Sequence, residues 1–143
     1  QFRFLGPSDK LMNNTYVGNL VAAVFLALEN DSALGQAFNI TDGELVSKKR
    51  FMTTITRLAG YDEPTKTVPI GVARGLTTVL EGLWRLLGKK EAPILSQARI
   101  NMLGLNLDFS TEKAKRELGY KAPVDFDDAM RTTIDWFRDE GLL

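Results

Sequence analysis

The side chains available for acid–base work in this chain are carboxylates, lysines and three tyrosines, because it has no histidine and no cysteine. A Ser-His-Asp triad, a thiolate nucleophile, a disulfide, and a metal site built on imidazole or thiolate are therefore excluded. Asp125, Asp127 and Asp128 form an acidic cluster, but no glycine turn and distant glutamate complete a calcium loop around them. They sit where a helix begins, and capping and the helix dipole account for them, so no metal is expected there. Lys113, Lys115 and Arg116 form a basic run. Glu117 lies four residues after Lys113 and Glu112 four before Arg116, which reads as a solvated helix face rather than a phosphate site. Lysine plus arginine total 18, as do aspartate plus glutamate, and a net charge of zero gives no case for a nucleic-acid partner.

Periodicity places these residues on mostly helical elements. Phe2 to Leu5 alternates and ends at Gly6-Pro7, a strand closed by a turn pair. Asn13, Asn14 or Thr15 caps a helix with apolar positions Val17, Leu20, Val21, Val24, Phe25 and Leu28. Ala37 to Ile40 reads as a second short strand, with a turn at Asp42-Gly43. Ser47 caps a helix that stops on Gly60. Pro64 and Pro69 bracket an extended stretch, and Pro69 precedes the longest helix, about Ile70 to Gly88. Ser96 caps a short helix to Leu103. Leu105, Leu107 and Phe109 alternate with Asn106 and Asp108 as a third strand. Ser110 caps a helix over Thr111 to Leu118, which Gly119 ends, and Asp125 caps the last helix, closed by Gly141.

The total is about five helices and three short strands, an α/β pattern dominated by helix. Strands so few and so separated predict membership in a larger sheet whose other strands lie elsewhere. The chain lacks an initiator methionine and starts inside the first strand, which predicts a fragment. No basic region followed by an apolar run marks a signal peptide. Its 143 residues, 44% hydrophobic and 25% charged, suit one soluble globular domain. The absence of cysteine suits a reducing compartment.

The helix over 70–88 carries Trp84 between Arg74 and Arg85, with Lys89 and Lys90 after it. Aromatic and basic residues on an amphipathic helix are the pattern of a membrane-interface segment, with Trp84 and Arg85 as the expected contacts. Glu81 and the two arginines argue against a spanning segment. The alternative is a helix packed over a cleft or on another domain.

Three blocks, taken together, carry a family resemblance. They are Asn14-Thr15-Tyr16-Val17-Gly18-Asn19-Leu20-Val21-Ala22-Ala23, then Gly35 to Glu44 (GQAFNITDGE), then Asp108 to Tyr120 (DFSTEKAKRELGY), with Val68-Pro69 and Ala92-Pro93 between. In this order they resemble the C-terminal part of extended short-chain dehydrogenases. Within that group the pattern is most like the 3β-hydroxysteroid dehydrogenase and sterol-4α-carboxylate 3-dehydrogenase branch of the epimerase/dehydratase family.

The resemblance implies that residues 1–143 are a single C-terminal substrate-binding subdomain of an extended Rossmann-type enzyme, lacking the dinucleotide-binding core. The partner would be the missing N-terminal Rossmann domain, holding NAD or NADP, with no cofactor bound by this chain alone. The family's catalytic tyrosine has a lysine four residues later. Tyr16 is followed at that distance by Leu20, Tyr61 by Thr65 and Tyr120 by Val124, so no catalytic residue carries over. No strand–glycine-loop–helix unit for a pyrophosphate is present either. Tyr16 and Asn19 fall where the family's chain enters its first C-terminal helix, near the substrate cleft. They read either as a pocket wall with Asn19 holding a loop, or as a core tyrosine and a helix-start asparagine. The implied activity of the parent is oxidation of a 3β-hydroxyl on a small apolar, sterol-like substrate, in the cytoplasm or at a membrane surface, with the isolated chain inactive. The alternatives are the same region of a nucleotide-sugar epimerase or dehydratase, for whose diphosphate Arg57, Arg74 and Arg99 are available, and a non-catalytic helical binding module. Orphan sheet edges would favour a homo-oligomer.

Overall fold

The computed structural model describes residues 3–88, 96, 100 and 105–143. The order is β1 (Phe4–Leu5), β2 (Leu11–Asn13), α1 (Val17–Leu28), a 3-10 turn (Asp31–Ala33), β3 (Leu45–Ser47), α2 (Lys48–Ala59), β4 (Thr67–Val68), α3 (Ile70–Leu86), α4 (Glu112–Leu118) and α5 (Phe126–Asp139). The predicted helix from Ser96 to Leu103 falls almost wholly outside the described residues.

Local chemistry sets the helix ends. The Ser47 hydroxyl accepts from the Arg50 N–H at 3.1 Å, and the first two N–H groups of α2 donate to the carbonyls of Lys10 and Ser8 at 3.0 and 2.8 Å. Gly60, at φ 79°, turns α2 off. The Gly60 and Tyr61 N–H groups then reach back to the carbonyls of Arg57 and Thr56, the double closure that a left-handed glycine permits. The Asp125 carboxylate accepts from the Asp128 N–H at 2.9 Å and starts α5.

The strands form two separate pairs. β1 and β4 run parallel, with Phe4 opposite Thr67. β2 and β3 run antiparallel, with Met12 opposite Val46. The β2–β3 pair replaces the expected strand at Ala37–Ile40. That segment alternates as expected, with Phe38 and Ile40 turned toward the core and Asn39 exposed. It takes no ladder partner among the described residues. Side chains satisfy it instead: Thr15 Oγ1 donates to the Ile40 carbonyl at 3.1 Å and Lys113 Nζ to that of Ala37 at 3.1 Å.

Residues 105–109 form no strand, but Leu107 lies beside β2. Its N–H donates to the Leu11 carbonyl at 2.9 Å, and its carbonyl accepts from Asn13 at 3.1 Å, the bonding of one parallel bridge. Asparagine side chains stop the ladder there. Leu11 N–H donates to Asn106 Oδ1, and Phe109 N–H to Asn13 Oδ1.

Two apolar clusters hold the elements together. Ala23 of α1 packs on Ala114, Leu118 and Tyr120, with Leu26, Phe38 and Ile40 around them. Phe126, 1% exposed, joins α5 to α2 through Phe51, ring centroids 6.2 Å apart, while the Arg50 guanidinium lies over the Phe126 ring, 4.8 Å from its centre. Arg50 also pairs with Glu44 and Asp127.

The basic run on α4 is arranged differently from the expected i,i+4 pairs. Lys115 bonds Glu112, and Arg116 bonds its neighbour Glu117. Lys113 leaves the helix face to bond Gln36 Oε1 at 2.9 Å and lies 4.7 Å from the centre of the Phe38 ring. It does so because the unladdered 36–38 segment offers it a carbonyl.

Candidate functional site

The three signature blocks converge on residues 41–43. The Asp42 carboxylate accepts from the Tyr16 N–H at 2.8 and 3.1 Å and from Asn19 Nδ2 at 2.8 Å. The buried Tyr120 hydroxyl donates to the Thr41 carbonyl at 2.9 Å, and the Gly43 N–H donates to Thr41 Oγ1. Burial, and then the negative charge of Asp42, push the Tyr120 phenol above the ordinary range, so it remains a donor at neutral pH.

Asn19 is completely buried. Its Nδ2 also donates to the Val124 carbonyl at 2.8 Å, and its Oδ1 accepts from the Val124 N–H at 3.0 Å. Both amide protons are therefore engaged inside the protein, leaving none to donate to a ligand. Geometrically, Asn19 fastens α1 to the loop at Asp42 and to the segment that leads into α5.

Tyr16 is placed differently. It occupies the N-cap of α1 without a capping side-chain bond, and its ring lines an open cavity of about 380 Å³ with Val17, Thr132, Thr133 and Trp136. The walls are mostly apolar. Thr132 and Thr133 donate their hydroxyl protons to the carbonyls of Asp128 and Ala129 one turn back, so toward the cavity they can only accept. The Tyr16 hydroxyl and the Trp136 indole N–H have no hydrogen-bond partner among the described residues. Two of the residues around this mostly apolar cavity thus carry unengaged donors, which suits an apolar molecule bearing an oxygen acceptor.

The α5 half of this wall was not singled out from the sequence. Trp136 is three positions after Thr133 on the flank of the α5 stripe, and only the tertiary packing of α5 on the rest of the chain brings it to the cavity that Tyr16 lines. Of the arginines that would serve a diphosphate, Arg57 and Arg74 are exposed on α2 and α3 and line no part of the cavity; Arg99 lies outside the described residues. Asp125, Asp127 and Asp128 are engaged as a cap and in pairs with Arg50 and Arg131. Among the described residues no group of three or more carboxylates could hold a metal ion.

Trp84 is half-buried on the side of α3 that carries buried Ala73 and Thr77. The exposed apolar stripe of α3 runs instead along Val72, Leu76, Val79, Leu83 and Leu86. No helix among the described residues is long and apolar enough to cross a membrane.

No family model matches the chain. It is 29% identical over 143 residues to the 3β-hydroxysteroid-dehydrogenase/decarboxylase isoform 1 of Arabidopsis thaliana, covering 93% of this chain and 33% of that protein. It is 32% identical over 150 residues to the human short-chain dehydrogenase/reductase family 42E member 1, covering 98% of this chain and 37% of that one. The crystal structure of gox2253 superposes with a TM-score of 0.71 at 28% identity, over 92% of this chain and 38% of that one. Nucleotide-sugar epimerases and a dehydratase solved with NAD share the fold at 12–14% identity and TM-scores of 0.54–0.61. The chain spans about a third of the length of the curated relatives it matches. The fold is mostly helical and matches part, about a third, of Rossmann-type dehydrogenases. In sequence, the chain is similar to a stretch of proteins named as short-chain dehydrogenase/reductase and 3β-hydroxysteroid dehydrogenase.

Proposed function

We propose that residues 1–143 are the C-terminal substrate-binding subdomain of an NAD(P)-dependent oxidoreductase that oxidises a 3β-hydroxyl on a sterol-like molecule. The observation that carries the reading is the apolar cavity at Tyr16 with its two unengaged donors. A diphosphate-bearing sugar nucleotide, the rival suggested by the epimerase fold, would call for cations, and no arginine or lysine lines this cavity. Hydride acceptance and the proton-handling tyrosine–lysine pair would belong to the cofactor-binding domain of the parent.

Helix α1 supports a docked domain. Apart from Gly18 and Asn19 it is apolar on every side, and such helices belong inside proteins. Its outward face nevertheless leaves Phe25 59% and Leu28 75% exposed. The buried amide Asn14 Nδ2, two residues before Tyr16, has no acceptor within the described structure, and a docked domain or substrate would supply one.

Calorimetry with NAD and NADP tests the division of labour. The isolated chain is expected to bind neither, while the full-length parent reduces NAD(P) when given a 3β-hydroxysteroid and leaves UDP-sugars untouched. Saturable dinucleotide binding by the isolated chain, or turnover of a UDP-sugar, would overturn the reading. A non-catalytic module would show no turnover in either form.

The exposed stripe on α3 favours a second contact, with a membrane surface. Leu76→Ser/Leu83→Ser, which removes the apolar contact without changing the charge, is expected to abolish co-sedimentation of the full-length protein with anionic vesicles. Trp84→Ala should matter less, since Trp84 sits on the inward flank. Equal sedimentation of all three forms would dismiss the contact.

A further inference from the structure

Two neighbouring residues of α1 break local rules, and one piece of geometry explains both. Tyr16 stands at the N-cap, where short polar side chains are favoured and an aromatic ring supplies no cap. Gly18 follows inside the first helical turn, where glycine is a poor choice and no positive φ requires it. A Cβ built on Gly18 would lie 2.7 Å from Cε1 of Tyr16, 3.2 Å from Cδ1 and 3.5 Å from Cζ. Its three nearest neighbours are all atoms of that one ring. The ring lies across the bare Cα of Gly18, and any other residue at 18 would lift it off.

We propose that Gly18 is a positioning residue: its missing side chain seats the Tyr16 ring at the mouth of the cavity shared with Thr132, Thr133 and Trp136. Asp42 completes the seat by holding the Tyr16 N–H with both carboxylate oxygens. The backbone of residue 16 is thus fixed by a loop, and its ring by the absence of a neighbouring side chain. Rule-breaking choices of this kind gather at sites where geometry is selected over local stability. The ring then sets how deep an apolar ligand enters from the α1 side, and its hydroxyl presents a donor there. That last step rests on the substrate reading given above; the seating of the ring does not.

The test is a double-mutant cycle in the full-length protein, combining Gly18→Ala with Tyr16→Ala. Two measurements are made on all four forms: the melting temperature, and the affinity for the 3β-hydroxysteroid dehydroepiandrosterone, read by equilibrium dialysis. Gly18→Ala alone is expected to lower the melting temperature and weaken the steroid by about ten-fold. In the Tyr16→Ala background the same change should raise the melting temperature, because alanine is the better helix residue once the ring is gone, and leave the affinity where Tyr16→Ala put it. Gly18→Ala acting equally on the melting temperature in both backgrounds would overturn the proposal. If none of the four forms binds steroid while the melting effect of Gly18→Ala still reverses with Tyr16, the positioning stands and the steroid reading falls.

Discussion

Asn19→Leu is expected to destabilise the fold by about 3–5 kcal/mol, the range for breaking a buried polar network. The side chain is fully buried and joins three segments distant in sequence: the start of α1, the loop at Asp42 and the strap at Val124. Leucine would leave the Val124 N–H and carbonyl without partners and remove one donor from the Asp42 carboxylate. Each orphaned group costs about 1–3 kcal/mol when water cannot replace the partner. Urea unfolding is the measurement, with the m-value checked so that the midpoint can be compared. Asn19→Asp sharpens the test by keeping the shape. It sets a carboxylate against Asp42 and the Val124 carbonyl, so its deficit should be largest at neutral pH. Acid should shrink it, as protonation restores a donor. A loss under about 1 kcal/mol for Asn19→Leu, within the ordinary effect of a hydrogen bond, would mean that these contacts guide the chain without stabilising it.

Asn19 also marks where sequence reasoning reached its limit. Signals acting within one turn of helix were legible. Ser47 and Asp125 cap α2 and α5, and Gly60 and Gly119 end α2 and α4 in left-handed conformations. The apolar stripe of α1 was legible too, since period 3.6 needs no partner to be seen. The β2–β3 pair was not. Leu11–Asn13 is three residues long and carries no alternation of its own, and its partners lie at Leu45–Ser47 and at Leu107. Conversely, Ala37–Ile40 alternates like a strand but has side chains where a ladder would be, because alternation reports which side is buried and not which backbone lies alongside.

The candidate site divides the same way. Tyr16 and Asn19 could be picked out by their place in a motif, but their roles could not, because each role depends on a residue more than twenty positions away. Asn19 meets Val124, and Tyr16 comes to share a cavity with Trp136, only once α5 has packed on α2 through Phe126 and Phe51. The motif residues Asn19, Thr41, Asp42 and Tyr120 turn out to bind one another. Their common task is to hold the loop and the two helix starts, and the cavity opens beside that knot, not within it.

Phe25→Asp should have opposite consequences in two settings, and this contrast bears most directly on the proposed division of the enzyme. In the isolated chain Phe25 is 59% exposed, so the substitution removes apolar surface from water without breaking a core contact. Surface changes of this kind stay within about 0.5 kcal/mol. The isolated chain is expected to keep its melting temperature and lose self-association, because Val21, Val24, Phe25 and Leu28 together form the bare outward face of α1 and an apolar patch of that size promotes contact between copies. In the full-length protein the same face would be covered by the cofactor-binding domain, and a carboxylate placed there would be buried without a partner. Even partial desolvation of such a charge costs about 3 kcal/mol or more, which would lower the equilibrium constant for docking the two domains about 100-fold. Turnover with NAD(P) and a 3β-hydroxysteroid should fall accordingly, while Leu34→Asp, at an exposed site outside α1, should leave it unchanged. Sedimentation of the isolated chain and turnover of the full-length protein, measured on the same two variants, decide the matter. Full activity in the Phe25→Asp protein would mean that this face stays in solvent, and the docking surface would have to be sought elsewhere.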